Sequence, residues 1–394
     1  MKEKTKILVP IRYPVGGIRT YLKYTYGKLN GKSYEFTLVG PPGEWLGRIR
    51  KDLSDLDVRI VHSGGRGDSK ALFWAILRIL AKRQHDLIHS QGYSAAMISI
   101  VANALFGLPH LVTVHHVFGE RQFSDRFWER FPRVKKRIME SIICRADVIQ
   151  SVSHDAQANL MKYFPLLKKT PEKLVVIRNG VEIDGFSQAI GGEGKTFAKE
   201  KGKFYLGFIG RYMPEKGFKY LIDAVEFLQH KGKCEDIRVV SIGGFGEFFR
   251  EYKKHIDARG ISKHFEFLGF SNSVAPALKE IDLLVIPSLG EACPLVPMEG
   301  LVCGTPIVGF SCVGLREVLM DTPAFMVDVG DAEKLAGAIL DVKKDYARVK
   351  RSFEDFVPRA RERFDVRVGA EMLDKLFCKL NRNKTPEGSR GSQG

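Results

Sequence analysis

What most constrains this chain is an alternation that begins twice. Short apolar runs of strand length alternate with stretches of helical spacing from Lys6 to Ile177. After a Gly-rich break, the alternation restarts at Tyr205. Strands separated by helices cannot pair as hairpins, so they form a parallel sheet with helices on both faces. In the first half, strands are expected at Lys6–Pro10, Glu35–Val39, Val58–Val61, Asp86–His89, Leu111–His115, Val148–Val152 and Val175–Ile177. Helices are expected over Ile18–Leu29, Ser69–Arg83 and Ala95–Leu105, with another from Ser153. In the second half, strands are expected at Tyr205–Ile209, Arg238–Ile242, Leu283–Ile286 and Ile307–Val308. Helices are expected over Gly217–Gln229, from Val296 and from Ala332.

The fold class is therefore α/β, with two Rossmann-like domains. The first spans 1–185 and the second 204–365, joined by a linker over 186–203 that contains Ile190-Gly-Gly-Glu-Gly-Lys-Thr196. A closing helix over 366–380 and a polar, disordered tail over 381–394 complete the expectation. With 394 residues, the chain has enough length for two cores of ordinary domain size.

The cysteines Cys144, Cys234, Cys293, Cys303, Cys312 and Cys378 are scattered and form no C-x-x-C pair. That is the pattern of buried thiols in a reducing compartment. Only Ile7–Ile11 follows the basic start as an apolar stretch, too short for a signal peptide. The longest nearly apolar run, Ala95–Leu108, is interrupted by Ser99 and Asn103 and falls short of a bilayer span. A cytoplasmic protein is expected, at the inner face of a membrane at most. The charge is uneven, since residues 1–185 hold 30 Lys+Arg against 17 Asp+Glu. Such a field attracts nucleic acid, anionic lipid or an anionic substrate.

Several short motifs fail on inspection. Gly194-Lys195-Thr196 resembles the end of a phosphate loop, but Ala189 stands where its first glycine belongs and no strand precedes it. Gly243-Gly244-Phe245-Gly246 follows a strand, but no glycine or alanine stands three residues after Gly246. Asp55-Leu56-Asp57 spells a D-x-D without a further acidic partner nearby, so no metal is assigned to it. His115 and His116 are neighbours on a strand and point to opposite faces, so they cannot share a metal.

Four features converge instead. Gly16-Gly17 follows the first strand and opens a helix, where bare backbone approaches an anion. Gly210-Arg211 and Lys216-Gly217 frame the loop after the first strand of the second domain. There a guanidinium can clamp a phosphate bidentately and an ammonium adds a point charge. Glu291 and Glu299 stand eight apart across a loop and the start of a helix. His115 ends a first-domain strand.

With these motifs the chain resembles the retaining glycosyltransferases of family 4, which have the GT-B fold of two facing Rossmann-like domains with a cleft between them. The resemblance runs over about residues 6–340. It rests on Gly16-Gly17, Thr113-Val114-His115, Asn179-Gly180-Val181, Gly210-Arg211, Lys216-Gly217, Phe267-Leu268-Gly269, Pro287-Ser288, Glu291 to Glu299, Gly304-Thr305-Pro306 and Glu317.

The resemblance implies a catalytic set of Glu291, Arg211, Lys216 and His115. Glu291 and His115 would lie beside the donor sugar, and Arg211 and Lys216 would hold the diphosphate. Donor binding would add Gly16 and Gly17, the backbone at Leu295 and Val296, Glu299 at the ribose, and Phe267 and Leu268 beside the base. It implies a hexosyl transfer from a UDP- or GDP-sugar, with retention and without metal or other cofactor. Two departures touch the sugar side, Val313-Gly314 in place of a Gly-Gly pair and Ala292 in place of a glycine.

A nucleotide-sugar epimerase or hydrolase of the same fold is the nearest alternative. A basic nucleic-acid-binding protein is another, though the chain has no recognised RNA motif. The basic charge concentrates in Arg121–Arg137, where Phe123, Phe127, Trp128 and Phe131 stand among Arg126, Arg130 and Arg133. A helix here, ended or kinked at Pro132, suits an anionic membrane surface and a lipid-linked or anionic acceptor.

Overall fold

The computed structural model describes residues 4–14, 16–65, 68–119, 132–186, 196–244, 246–271 and 273–382. The chain divides into two compact units, Met1–Gly180 with Val366–Gly394, and Val181–Asp365. The change of unit falls at Gly180, ahead of the Gly-rich stretch, of which 187–195 lie outside the described residues. The tail from 383 also lies outside them.

Among the described residues, the first unit is built on seven strands: β1 (Thr5–Pro10), β2 (Tyr34–Gly40), β3 (Asp57–His62), β4 (Leu87–Gln91), β5 (His110–Val114), β6 (Val148–Ser151) and β7 (Leu174–Val176). They pair in parallel in the order β3-β2-β1-β4-β5-β6-β7. Its helices are α1 (Gly17–Tyr21), α2 (Glu44–Asp52), α3 (Ser69–Leu80), α4 (Tyr93–Asn103), α5 (Pro132–Ile143) and α6 (His154–Tyr163). The described residues of the second unit form six parallel strands: β8 (Phe204–Ile209), β9 (Ile237–Ile242), β10 (Phe265–Gly269), β11 (Leu283–Ile286), β12 (Ile307–Phe310) and β13 (Phe325–Val327). Their order is β10-β9-β8-β11-β12-β13. Its helices are α7 (Phe218–His230), α8 (Glu247–Ala258), α9 (Ala275–Glu280), α10 (Leu295–Val302), α11 (Leu315–Leu319), α12 (Ala332–Lys344) and α13 (Tyr346–Arg363).

Both sheets share one plan. The chain runs outward to one edge and then returns to build the other side, so the strand order reverses beside the first strand of each unit. In open α/β sheets, ligands gather outside the carboxyl ends of the strands at that reversal. The reversal falls between β1 and β4 in the first unit and between β8 and β11 in the second.

The structure departs from the pattern in identifiable places. The helix expected over Ile18–Leu29 is α1, continued by one i→i+5 turn over Leu22–Tyr26. That spacing sets Tyr21 and Tyr26 edge to face, with centroids 6.5 Å apart. The strand expected to end at His115 ends at Val114 and leaves His115 in the loop. The helix expected to end or kink at Pro132 falls on residues 120–131, which lie outside the described residues. The described part of α5 runs from Pro132. The closing helix, α14 (Val366–Arg382), belongs to the first unit. Leu373, Phe377 and Leu380 enter the core formed by Tyr26, Tyr34 and Phe36, and the Tyr34 hydroxyl donates to Asp374 Oδ1 at 2.6 Å.

Candidate active site

In the second unit, the loops after β8 and β11 flank the reversal and are fastened together by backbone. Leu289 N–H donates to the Glu215 carbonyl at 2.9 Å. Gly217 adopts φ 67°, and a Cβ there would stand 2.7 Å from the Pro287 carbonyl carbon and closer still to its oxygen. No side chain fits. The fastening carries Lys216 to the carboxylate of Glu291, where Nζ donates to Oε1 at 2.6 Å. Ser288 Oγ, from the same loop as Glu291, donates to that oxygen at 2.8 Å. Among the described residues, Oε2 accepts no hydrogen bond.

Glu291 is fixed from its other side too. Its N–H donates to the Val313 carbonyl at 3.0 Å. Gly314 follows at φ 76°, where a Cβ would lie 2.7 Å from the Ala292 carbonyl oxygen. The Val313-Gly314 departure noted in the sequence is thus a turn that holds the Glu291 backbone. Beneath the carboxylate, burial pushes the Cys312 thiol up to about 12, and the charge of Glu291 adds to the effect.

Arg211 is exposed, and among the described residues its guanidinium makes no ion pair or hydrogen bond. The helix carrying the second glutamate, α10, begins after Pro294 with no side-chain cap. Helix geometry leaves the N–H groups of Leu295 and Val296 without intrahelical partners, and Pro297 fills the third position with no donor at all. Glu299 is buried on the same helix. Phe267, on β10, packs edge to face against Phe249 at 5.1 Å and near Tyr212 at 6.1 Å. Leu268 beside it is half-buried.

In the first unit, Gly16 adopts φ 58° as the residue before α1, and Gly17 has open space at its Cβ position. His115 follows β5 and packs edge to face on Tyr21, with centroids 4.7 Å apart. Its Nε2 lies 2.8 Å from Gln91 Oε1, at the end of β4. Burial pushes the His115 pKa down to about 3, helped by neighbouring His116, so the ring is neutral at pH 7. His116 turns away to Phe118 and Tyr93.

The structure therefore gathers Arg211, Lys216, Glu291, Leu295, Val296, Glu299, Phe267 and Leu268 in one unit, and Gly16, Gly17 and His115 in the other. Asp55 and Asp57 lie at the opposite edge of the first sheet, where Asp57 opens β3 and pairs with Lys4 at 2.9 Å. Sequence reasoning counted Pro287-Ser288 among the motifs but gave Ser288 no role, and it passed over Gln91. A polar residue inside an apolar strand is the signal that could have flagged Gln91, because such a group needs a partner once buried.

Two family models match the chain. The one described as "Glycosyltransferase Family 4" covers residues 15–184. The one described as "Glycosyl transferases group 1" covers residues 193–363. The Escherichia coli UDP-Gal:alpha-D-GlcNAc-diphosphoundecaprenol alpha-1,3-galactosyltransferase is 24% identical over 71% of this chain and 71% of its own length. The 2-deoxystreptamine N-acetyl-D-glucosaminyltransferase of Streptomyces fradiae is 24% identical over 92% of this chain and 90% of its own. Among solved structures, Anabaena HepE in complex with UDP-glucose superposes with a TM-score of 0.76 at 20% identity, covering 95% of this chain and 99% of that one.

Proposed function

Because this chain belongs to the family 4 glycosyltransferases of GT-B fold, whose donors are nucleotide sugars, we propose that it transfers a hexosyl group from a UDP-sugar with retention of configuration and without a metal ion. The observation that carries the reading is the arrangement at the reversal of the second sheet. A lysine and a serine hold one oxygen of Glu291, while an uncapped helix start and an exposed arginine stand on adjoining elements.

Each part has a task in this reaction. The nucleoside diphosphate leaves with growing negative charge. Arg211 and the remaining protons of Lys216 bind its oxygens, and the Leu295 and Val296 amides add the positive end of α10. With Oε1 engaged, Glu291 Oε2 accepts from hydroxyls of the donor sugar. Glu299 takes the ribose hydroxyls, the Phe267–Gly269 strand end borders the base, and the backbone at Gly16 and Gly17 approaches the diphosphate. His115 is neutral and stands beside the sugar. The acceptor attacks the face that the diphosphate leaves, assisted by the leaving phosphate. UDP is favoured over GDP because HepE is described with UDP-glucose and the E. coli relative is named for UDP-Gal.

A lipid-linked acceptor at the inner face of a membrane fits the surface of the first unit. Helix α3 packs on α4 and α4 on α5. They carry exposed Trp74, Val101, Val134 and Ile138, with Leu105 exposed just after α4 and Arg78, Arg133 and Arg137 exposed on α3 and α5. Exposed apolar residues on helices that also expose cations suit anionic lipid. The E. coli relative is named for an undecaprenol-linked acceptor. Among the described residues, no helix is long and apolar enough to cross a membrane. Co-sedimentation should rise with anionic lipid and fall with salt, and equal sedimentation on neutral vesicles at low salt would remove the membrane from the proposal.

The donor is tested by thermal shift against UDP-, GDP- and ADP-sugars, followed by detection of product on an acceptor. A ligand at about a hundred times its Kd stabilises by roughly 2.7 kcal/mol. In a unit of this size, that is roughly 5–10 °C. A shift with no nucleotide sugar would overturn the reading. Turnover of the donor without transfer to any acceptor would point to the epimerase or hydrolase alternative.

A further inference from the structure

His115 is the outer end of a continuous line of hydrogen bonds that runs through the first unit beneath the carboxyl ends of its strands. Taken in order, His115 Nε2 lies 2.8 Å from Gln91 Oε1, and Gln91 Nε2 lies 3.2 Å from the Tyr26 hydroxyl. Tyr26 lies 2.6 Å from His89 Nδ1, and His89 Nε2 lies 2.7 Å from Thr113 Oγ1. Thr113 donates to Gln150 Oε1 at 3.0 Å, and Gln150 Nε2 to the Tyr21 hydroxyl at 3.4 Å. Tyr21 then packs on the His115 ring, so the line returns to its start.

With the Gln91 and Gln150 amides oriented as they stand, the protons fit one direction. Thr113 spends its only hydroxyl proton on Gln150, so it must accept from His89, which puts the His89 proton on Nε2. Gln91 Nε2 also approaches His89 Nε2, at 3.1 Å, but that nitrogen's proton is committed to the closer Thr113. His89 Nδ1 is then an acceptor, and the Tyr26 hydroxyl donates to it. Tyr26 oxygen accepts from the Gln91 amide, and the Gln91 carbonyl accepts from His115. The line contains no formal charge. Burial raises the Tyr21 hydroxyl to about 12 and the Tyr26 hydroxyl well above its ordinary value, and it holds His89 well below the ordinary range for histidine.

We propose that Gln91 is a positioning residue, which, backed by Tyr26, His89, Thr113, Gln150 and Tyr21, fixes the His115 proton on Nε2 and leaves Nδ1 as a hydrogen-bond acceptor for the donor sugar. The Tyr residues reach the line because the i→i+5 turn brings positions 21 and 26 to one side. Among the described residues, His115 Nδ1 has no hydrogen-bond partner. Satisfied polar networks in a dry interior are stiff, because breaking any link strands a buried group. The ring is therefore held in one orientation and one tautomer before any sugar arrives. The proposal rests on the reading that His115 serves the sugar, but the tautomer itself does not depend on that reading.

Ring nitrogen chemical shifts of protein labelled with ¹⁵N-histidine test the tautomer without any assay of activity, with His115→Ala identifying the signal. The expected spectrum has a protonated Nε2 and a bare Nδ1 from pH 6 to pH 9. Protonation on Nδ1 in the unaltered protein would overturn the proposal, since both amides would then be turned over and the line would run backwards. Gln91→Leu should lose the tautomer preference and lower kcat about tenfold, the worth of one net hydrogen bond, with KM for the donor changed far less. Gln91→Glu should keep the proton on Nε2 and move the acid limb of the activity profile to higher pH, because a carboxylate favours the imidazolium. A Gln91→Leu protein that keeps the tautomer and kcat would also overturn it. If Gln91→Leu does not fold, the spectrum of the unaltered protein decides alone. Full transfer by His115→Ala would instead defeat the role of His115 at the sugar and leave the tautomer result standing.

Discussion

Gly217→Ala is the sharpest single test of how the second unit holds its charged site. The glycine sits at φ 67°, with the Pro287 carbonyl in the space a Cβ would occupy. An alanine in the left-handed region costs about 1–2 kcal/mol. Forcing a methyl group into occupied space adds about 1–3 kcal/mol, because the neighbour is backbone and cannot rotate away. Together these give a loss of roughly 2–5 kcal/mol, or roughly 4–20 °C in the melting temperature of that unit. The strain is relieved only by parting the two loops, which breaks Leu289 N–H to Glu215 and draws Lys216 from Glu291. Turnover should therefore fall further than stability alone explains at a temperature where the variant is still folded. Gly337→Ala is the control. It lies inside α12, a Cβ there meets nothing, and the exchange should stabilise by about 1 kcal/mol. Calorimetry with a donor-turnover assay on both variants measures the contrast. Equal melting temperatures and equal turnover for Gly217→Ala and the unaltered protein would refute the reasoning.

Further predictions concern charge and pH. Arg211→Ala and Lys216→Ala should each lower turnover by about two orders of magnitude, as expected for a fixed donor aimed at developing charge, while circular dichroism stays unchanged. Near-normal activity of Lys216→Ala would remove it from the diphosphate. Transfer should persist in excess EDTA, and loss of activity that manganese restores would require a metal in the mechanism. His89 and His110 are buried with pKa values held below the ordinary 6.5, that of His110 at about 3, because burial disfavours the charged ring. Both stay neutral in the fold while the unfolded chain protonates, so their effect is absent above about pH 7. Below about pH 6, stability should fall by about 1 kcal/mol per pH unit for each, measured by urea unfolding between pH 7 and pH 5.

The alternation of strands and helices was legible because apolar runs such as Ile7–Val9 and Leu283–Ile286 are buried on both faces and carry no competing polar residue. The charged residues of the site were legible because glycines frame them at strand ends. Other features have no local signal. The apolar stripe of α14 is plain in the sequence, but nothing in Leu373, Phe377 and Leu380 says which core receives them, and they return to strands almost the whole chain away. Tyr21 and Tyr26 read as an ordinary helix face, since the i→i+5 turn joining them depends on what they meet in space. β13 has three residues, too few for a period, and α8 and α13 are so highly charged that their buried stripes are narrow. Ser288 and Gln91 are single polar residues whose meaning lies in a partner: three residues on for one, and a strand away for the other.

The two sheets put opposite chemistry on the same topological feature. After the first and fourth strands of the second unit stand Arg211, Lys216 and Glu291, charged groups within reach of solvent. At the corresponding edge of the first unit stand Gln91, His89, Thr113 and Gln150, all buried, neutral and tied to one another. Charge stabilises a leaving diphosphate only if it is fixed where the negative charge grows, and the second unit fixes it with backbone between loops. A sugar is different, since its hydroxyls donate and accept without charge. Recognising it takes acceptors and donors of known polarity, and a buried neutral network supplies polarity that bulk pH does not alter. A group such as His115, whose free pKa lies near neutrality, would otherwise change its hydrogen bonding across the physiological range. Burial together with the Gln91 carbonyl removes that ambiguity in the proposed arrangement, where His115 would be a fixed acceptor rather than a switch.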